Sequence, residues 1–189
     1  IVALLEGLLS AEERAEWESV TKPQIALDAQ LWEAAAGGDA AAVVRLAGEG
    51  ASADAKNESG WPAVLAAAER GHTEAVEALL RLGCDPNARD RNGRTALMCA
   101  AQFGHGGVVG ALLEHGGAEL DAVDSDGATA LMRVARNGQP ATAAQLVEAG
   151  ADATLRAMGG EGKTALEVAE AQPSWMTKGE KGHAEVAAL

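Results

Sequence analysis

The side chains able to carry covalent or metal chemistry are sparse, with four histidines and two cysteines in 189 residues. His72, His105 and His183 each follow a glycine, and the first two stand 33 residues apart. That recurrence reads as a structural connection between helices. Successive units would hold the rings roughly 10 Å apart, too far to share one ion. His115 reads as an exposed residue near a helix end. Cys84 and Cys99 form neither a CxxC pair nor a Cys/His cluster of metal-site spacing, so they read as reduced thiols in small apolar positions. Residues 160–164, Gly-Glu-Gly-Lys-Thr, echo a phosphate loop, but they lack the first glycine at the required spacing and a preceding strand. A Gly-x-Ser-x-Gly elbow and a metalloprotease helix are also missing from the sequence. The expectation is a chain that is not an enzyme and that uses neither cofactor nor metal.

The elements that position these residues follow from the glycines. Gly38, Gly71, Gly104 and Gly138 are spaced by 33, 33 and 34 residues; Gly50, Gly83, Gly117 and Gly150 by 33, 34 and 33; Gly60, Gly93 and Gly127 by 33 and 34. Three series in register mark stacked repeat units. Between the glycines each unit reads as two short apolar helices and a turn. The spacing predicts helices over 29–36, 40–48, 62–70, 73–82, 95–103, 106–115, 129–136, 140–149, 164–171 and 183–189. Pro140 suits a first helical turn, where its missing N–H costs nothing. A glycine after each second helix can take the left-handed conformation that ends it. Asn92-Gly93 and Asp126-Gly127 are signals for tight turns. Leu97, Ala100, Leu112, Leu113, Leu131, Ala135, Leu146 and Leu166 recur at the apolar spacing and are expected to be buried.

The segments 90–97 (Asp-Arg-Asn-Gly-Arg-Thr-Ala-Leu), Ala100-Ala101, Gly104-His105, Leu112-Leu113 and 83–88 (Gly-Cys-Asp-Pro-Asn-Ala) together resemble the ankyrin-repeat pattern. The pattern recurs at 124–131. Trp61-Pro62 replaces the usual Thr-Pro order, and Ala96, Ala130 and Ala165 stand where the family commonly has proline. The resemblance implies an all-α solenoid of stacked helix-turn-helix units joined by short β-hairpin-like loops. Its units would lie near 27–56, 57–89, 90–123, 124–156 and 157–189. Residues 1–26 read as an acidic N-terminal helix, a cap or the tail of an upstream region, with Ser10 as a break or N-cap. The finger before the last unit is lengthened at 158–162, and residues 172–181 are inserted between the two final helices.

In such a solenoid stacking consumes the apolar faces and leaves a concave wall free. The resemblance implies that the loop tips and first helices face that wall and carry partner contacts. The candidate partner-binding residues are Trp61, Arg70, Arg91, Arg94, Phe103, Arg136 and Asn137. Trp61 and Phe103 stand out as anchors because only 3% of residues are aromatic, and buried aromatics dominate many interfaces. The alternative is that both merely pack against adjacent loops. Trp32 reads as a cap over the first helix pair. Lys56, Arg70, Arg89, Arg91, Arg94, Arg136, Arg156 and Lys163 place cations on the finger side, either to steer an acidic partner or to be solvated and paired with Asp90, Asp124 and Asp126.

The net charge of −13 argues against nucleic acid as the main partner, since phosphate binding draws on clustered Lys and Arg. The apolar start at residues 1–5 is broken by Glu6 and is far shorter than the ~20 residues that span a bilayer, so direct membrane insertion is not expected. The start at Ile1 rather than Met reads as a fragment or a processed product, and the expected compartment is the cytoplasm. The expected function is a protein-interaction scaffold that holds a protein or peptide with acidic and apolar residues. The alternatives are a regulatory or substrate-docking segment of a larger enzyme or channel, and a fixed subunit of a large assembly.

Overall fold

The computed structural model describes residues 10, 15, 19, 21–115, 117–157 and 162–170. Nine helices lie among them: α1 (Lys22–Gly37), α2 (Ala40–Gly48), α3 (Ala63–Glu69), α4 (Thr73–Arg81), α5 (Ala96–Phe103), α6 (Gly106–Glu114), α7 (Ala130–Asn137), α8 (Pro140–Glu148) and α9 (Ala165–Glu170). The odd-numbered helices form one layer, α1 to α3 to α5 to α7 to α9, and the even-numbered helices form a second. Neighbours among the first four units touch through both layers, which is the nearest-neighbour arrangement of a solenoid, and α9 of the fifth packs on α7. Among the described residues there is no strand, only one isolated antiparallel bridge between Lys56 and Pro62.

The expected helices lie close to the observed ones, with differences at the ends. α1 starts at Lys22 rather than 29 and crosses position 27, where the array was expected to begin. Pro23 sits in its first turn, a favoured place for a residue without an N–H. Most of the leading helix expected over 4–20 falls outside the described residues, as do the 172–181 insert, most of the 158–162 finger, and the helix at 183–189 with His183.

The core is built from small residues because the inner helices approach closely. Ala63 to Ala68 of α3 and Ala96 to Ala101 of α5 are buried throughout, since these helices have inner-helix neighbours on both sides and the outer helix behind. Leu97, Ala100, Leu112, Leu131, Ala135 and Leu146 are buried as expected, and so are Met98 and Met132. Leu113 is only half-buried. Leu166 is a correction, at 46% exposed. In α5 and α7 the matching leucines lie between two inner helices, whereas α9 touches a single described inner helix, α7.

The helix connections explain the Gly-His pairs. Gly71 has a φ of +76°, and a Cβ there would stand 2.7 Å from His105 Nδ1. Only glycine provides both the left-handed turn and the room. The His105 Nε2–H donates to Glu69 O at 3.0 Å, so the ring satisfies a carbonyl at the end of the preceding inner helix. At the previous junction His72 occupies the same place against Gly38, and at the next one Gln139 takes it against Gly104.

Replacing Leu112, fully buried in α6, by Ala should cost roughly 2–5 kcal/mol, read as a lower urea midpoint. Gly110 lies in the same helix, and an added Cβ would meet nothing within 4 Å. Gly110→Ala should therefore raise the midpoint by the equivalent of about 1 kcal/mol, the helix-propensity difference; an unchanged or lower midpoint would contradict the packing described for α6.

Candidate functional site

The finger loops at 57–61, 90–94 and 124–128 are each organised by one side-chain oxygen. Asn57 Oδ1 accepts from the Ser59 and Trp61 amides at 3.0 and 2.9 Å. Asp90 Oδ1 accepts from Asn92 and Arg94 at 2.9 Å each. Asp124 Oδ1 accepts from Asp126 and Ala128 at 2.8 and 2.9 Å. These oxygens stand in for backbone acceptors, as Asx side chains do in turns. Ala157 stands in the equivalent place before the last finger and keeps only the backbone closure that all four share, its amide donating to Lys163 O. Thr164 and Glu167 then form a reciprocal cap on α9, with Glu167 N donating to Thr164 Oγ1 and Thr164 N donating to Glu167 Oε2.

The finger-side arginines are largely spent on these loops. Arg94 donates from Nε to Asp90 Oδ2 at 2.8 Å, and its Nη1 lies 3.8 Å from Glu69 of the preceding unit. Arg133 repeats that bridge from inside α7, donating to Asp124 Oδ2 and, at 2.9 Å, to Gln102 Oε1 of the preceding unit. Arg89 pairs with Glu119 and donates to Val123 O, and Arg156 pairs with Glu167. The Asp124 side chain is fully buried. That burial raises its pKa, but the Ala128 amide, the Arg133 hydrogen bond and the Arg133 charge outweigh it and hold the carboxyl below its usual 3.8. The buried thiols of Cys84 and Cys99 are each pushed up to about 12, by desolvation first, so at neutral pH both are protonated and poor nucleophiles.

A cleft of about 290 Å³ opens between the finger of the second unit, at 57–61, and that of the third, at 90–94 (the second and third fingers). Ser59 and Trp61 line one wall, Asp90, Arg91, Asn92 and Arg94 the other, and Glu69 reaches in from α3. Trp61 is half-buried, its ring 5.9 Å from that of Trp32, whose indole N–H donates to Trp61 O at 2.8 Å. Trp61 thus both packs against a neighbour and lines the cleft. Arg91 is exposed and forms no hydrogen bond or ion pair with any described residue.

Of the seven sequence-derived candidates, the cleft brings together Trp61, Arg91 and Arg94. Arg70, Phe103 and Asn137 occupy equivalent positions at the far ends of α3, α5 and α7, with Arg136 beside them. This second row lies roughly 12 Å away, the length of an eight-residue helix. Arg70 Nη1 donates to Ala36 O at 2.6 Å, which closes the end of α1, and Asn137 Nδ2 donates to Arg133 O. Phe103 is 46% exposed, its ring 6.1 Å from His105, and it does not line the cleft. Arg133 is the participant that sequence reasoning missed. Its matching positions are Cys99 and Ala66, so periodicity gave no cue to its role.

Stacked helix pairs with finger loops between them, each unit tied only to its neighbours, define a repeat solenoid. Residues 31–124 match the family model of ankyrin repeats, in three copies. The chain belongs to the ankyrin-repeat family. No curated protein matches it.

The Asp124–Arg133 pair yields a signed pH prediction. A depressed folded-state pKa contributes stability above the unfolded value, near 3.9, that disappears as pH falls through the folded value. Asp124→Asn should cost about 3 kcal/mol at pH 7, the scale for breaking a buried pair. The gap to wild type should shrink as pH drops below about 4, measured by denaturant titrations at both pH values. A gap independent of pH would show that the carboxylate charge contributes nothing.

Proposed function

We propose that the chain is a protein-interaction scaffold that holds a segment of another protein on its finger and concave surface. Ankyrin repeats are generally interaction modules and typically non-catalytic, and residues 31–124 carry three of them. The observation that carries the reading is the cleft between the second and third fingers, which Trp61 and an uncommitted Arg91 both line. Nearly every other finger cation described is bound within the fold, so this pair is where the concave side keeps recognition capacity in reserve. Trp and Arg are the residue types most enriched among the few that dominate interface energetics. Among the described residues no helix is long and apolar enough to cross a membrane.

Phe103 and the Arg70 row supply a second contact zone one helix length away, so a partner that uses both must reach across the whole inner helix. Separate Trp61→Ala and Phe103→Ala variants distinguish the two zones. Affinity capture with wild type should recover a partner whose recovery falls roughly 30-fold for Trp61→Ala, equivalent to about 2 kcal/mol. Thermal unfolding of the same variant controls for the lost packing on Trp32. Equal capture by a folded Trp61→Ala protein would remove the finger cleft from the function.

A further inference from the structure

We infer that the finger cleft takes an extended peptide segment through a single carboxylate, and that Arg91 is the residue that selects it. The inference rests on the scaffold reading above and makes the partner's chemistry specific.

The charges lining the cleft are Glu69, Asp90, Arg91 and Arg94, which sum to zero. Arg94 is committed to Asp90 and Glu69. Asp90 spends one oxygen on two loop amides and the other on Arg94. Arg91 alone of the two arginines has its guanidinium unengaged by any described residue. It extends back over the second finger, its Nε 3.8 Å from where a Gly60 Cβ would stand, which puts the cation beside Gly60, the residue before Trp61, rather than out along the third finger. A planar guanidinium in that position offers a carboxylate two parallel N–H donors.

A segment bearing several acids meets a different field. The whole chain carries −13, and the two carboxylates in the cleft face any second acid that enters. Like-charge contacts at an interface are a standard means of rejecting the wrong partner. The cleft therefore favours one carboxylate among neutral residues over an acidic run.

The rim explains why the segment is extended. The main-chain groups of Asn92 are used, its N donating to Asp90 and its O accepting from Ser125 N at 2.9 Å. The Asn92 side-chain amide and the Ser59 hydroxyl have no described partner. An amide presents a donor and an acceptor together, which matches the adjacent C=O and N–H of an extended chain. A helical segment has already paired those groups internally. The volume, about 290 Å³, is at the lower edge for a small-ligand site and accommodates a side chain or two rather than a helix face.

The probe is an array of unstructured nonapeptides with one Asp or Glu among neutral residues, each paired with its Asn or Gln twin. Binding to the whole chain is read by fluorescence anisotropy. The carboxylate peptides that bind should weaken about tenfold as amides, the scale of a charge-assisted contact. In Arg91→Gln that difference should collapse, while Arg91→Lys should retain part of it. Asn92→Ala should weaken a carboxylate peptide and its amide twin alike. Arg91→Gln removes no described contact, so its melting temperature should match wild type and its binding loss cannot be misfolding. Equal binding of the twins, discrimination that survives in Arg91→Gln, a preference for acidic runs or basic peptides, or no binding at all would overturn the inference. The scaffold reading would still be decided by the capture experiment, which requires no linear carboxylate peptide.

Discussion

A thin stack of short helices depends on side-chain oxygens that accept backbone amides from the neighbouring turn or unit. Helices of six to nine residues, like those from α2 to α9, are far below the length that is stable alone in water. They exist only if neighbours bury their apolar faces and their exposed backbone ends find partners. Asp54, Asn87 and Asp121 provide such partners across the first three junctions, accepting from the amides of Asp85, Glu119 and Asp152 at 2.8 to 2.9 Å, and Asp28 does the same for Ser52 within the first unit. Each bond contributes only about 1 kcal/mol net. The ladder runs along the exposed side of the stack while the alanine-rich inner layer packs behind it.

The same constraint shapes the finger surface. A carboxylate that organises a loop carries charge in excess of what the loop amides neutralise, and burial makes that charge costly. The second oxygen of Asp90 and of Asp124 therefore takes an arginine. Arg94 comes from the loop itself and Arg133 from the following helix, yet both reach a side chain of the preceding unit, Glu69 in one case and Gln102 in the other. Two sequence positions thus reach one solution, a guanidinium that bridges a loop carboxylate to the unit before it. Such bridges tie finger orientation to inter-unit packing, so the walls of the cleft are held by the same contacts that hold the stack.

Much of this was legible in the sequence because glycine periodicity reports directly on backbone conformation. Gly71 and Gly104 mark turns that no other residue adopts at low cost, and the apolar positions between them place Leu97 and Leu112 in the core. What could not be read were side-chain choices that periodicity does not constrain. Arg133 has no counterpart in the matching positions of other units, and the Glu69–Arg94 contact joins residues of different units. Arg70, Arg94 and Phe103 all read as surface residues, but which cation is consumed depends on where a long side chain points. A repeat pattern cannot state that. The role of Asn57, Asp90 and Asp124 did have a signal, an Asn or Asp recurring at 33 and 34 residues just before each finger turn.

Charge counted along the sequence and charge available at the surface are therefore different quantities in this protein. Eight cations line the finger side by position, which by count suggests a basic strip. Pairing with acids takes Arg89, Arg94 and Arg156 out of that strip, and Arg70 is spent on Ala36 O, which together halve it. A paired guanidinium is a poor long-range attractor, because its field is largely cancelled within a few ångströms and screening removes the remainder beyond about 8–10 Å. Recognition on this side is then a matter of short-range geometry at the few groups left uncommitted. Steering by the bulk field of a chain at −13 works against acidic partners, so an acidic residue that binds must gain enough locally to offset the approach. A bidentate contact in a cleft that an aromatic ring also lines is the physical setting in which one carboxylate can do so.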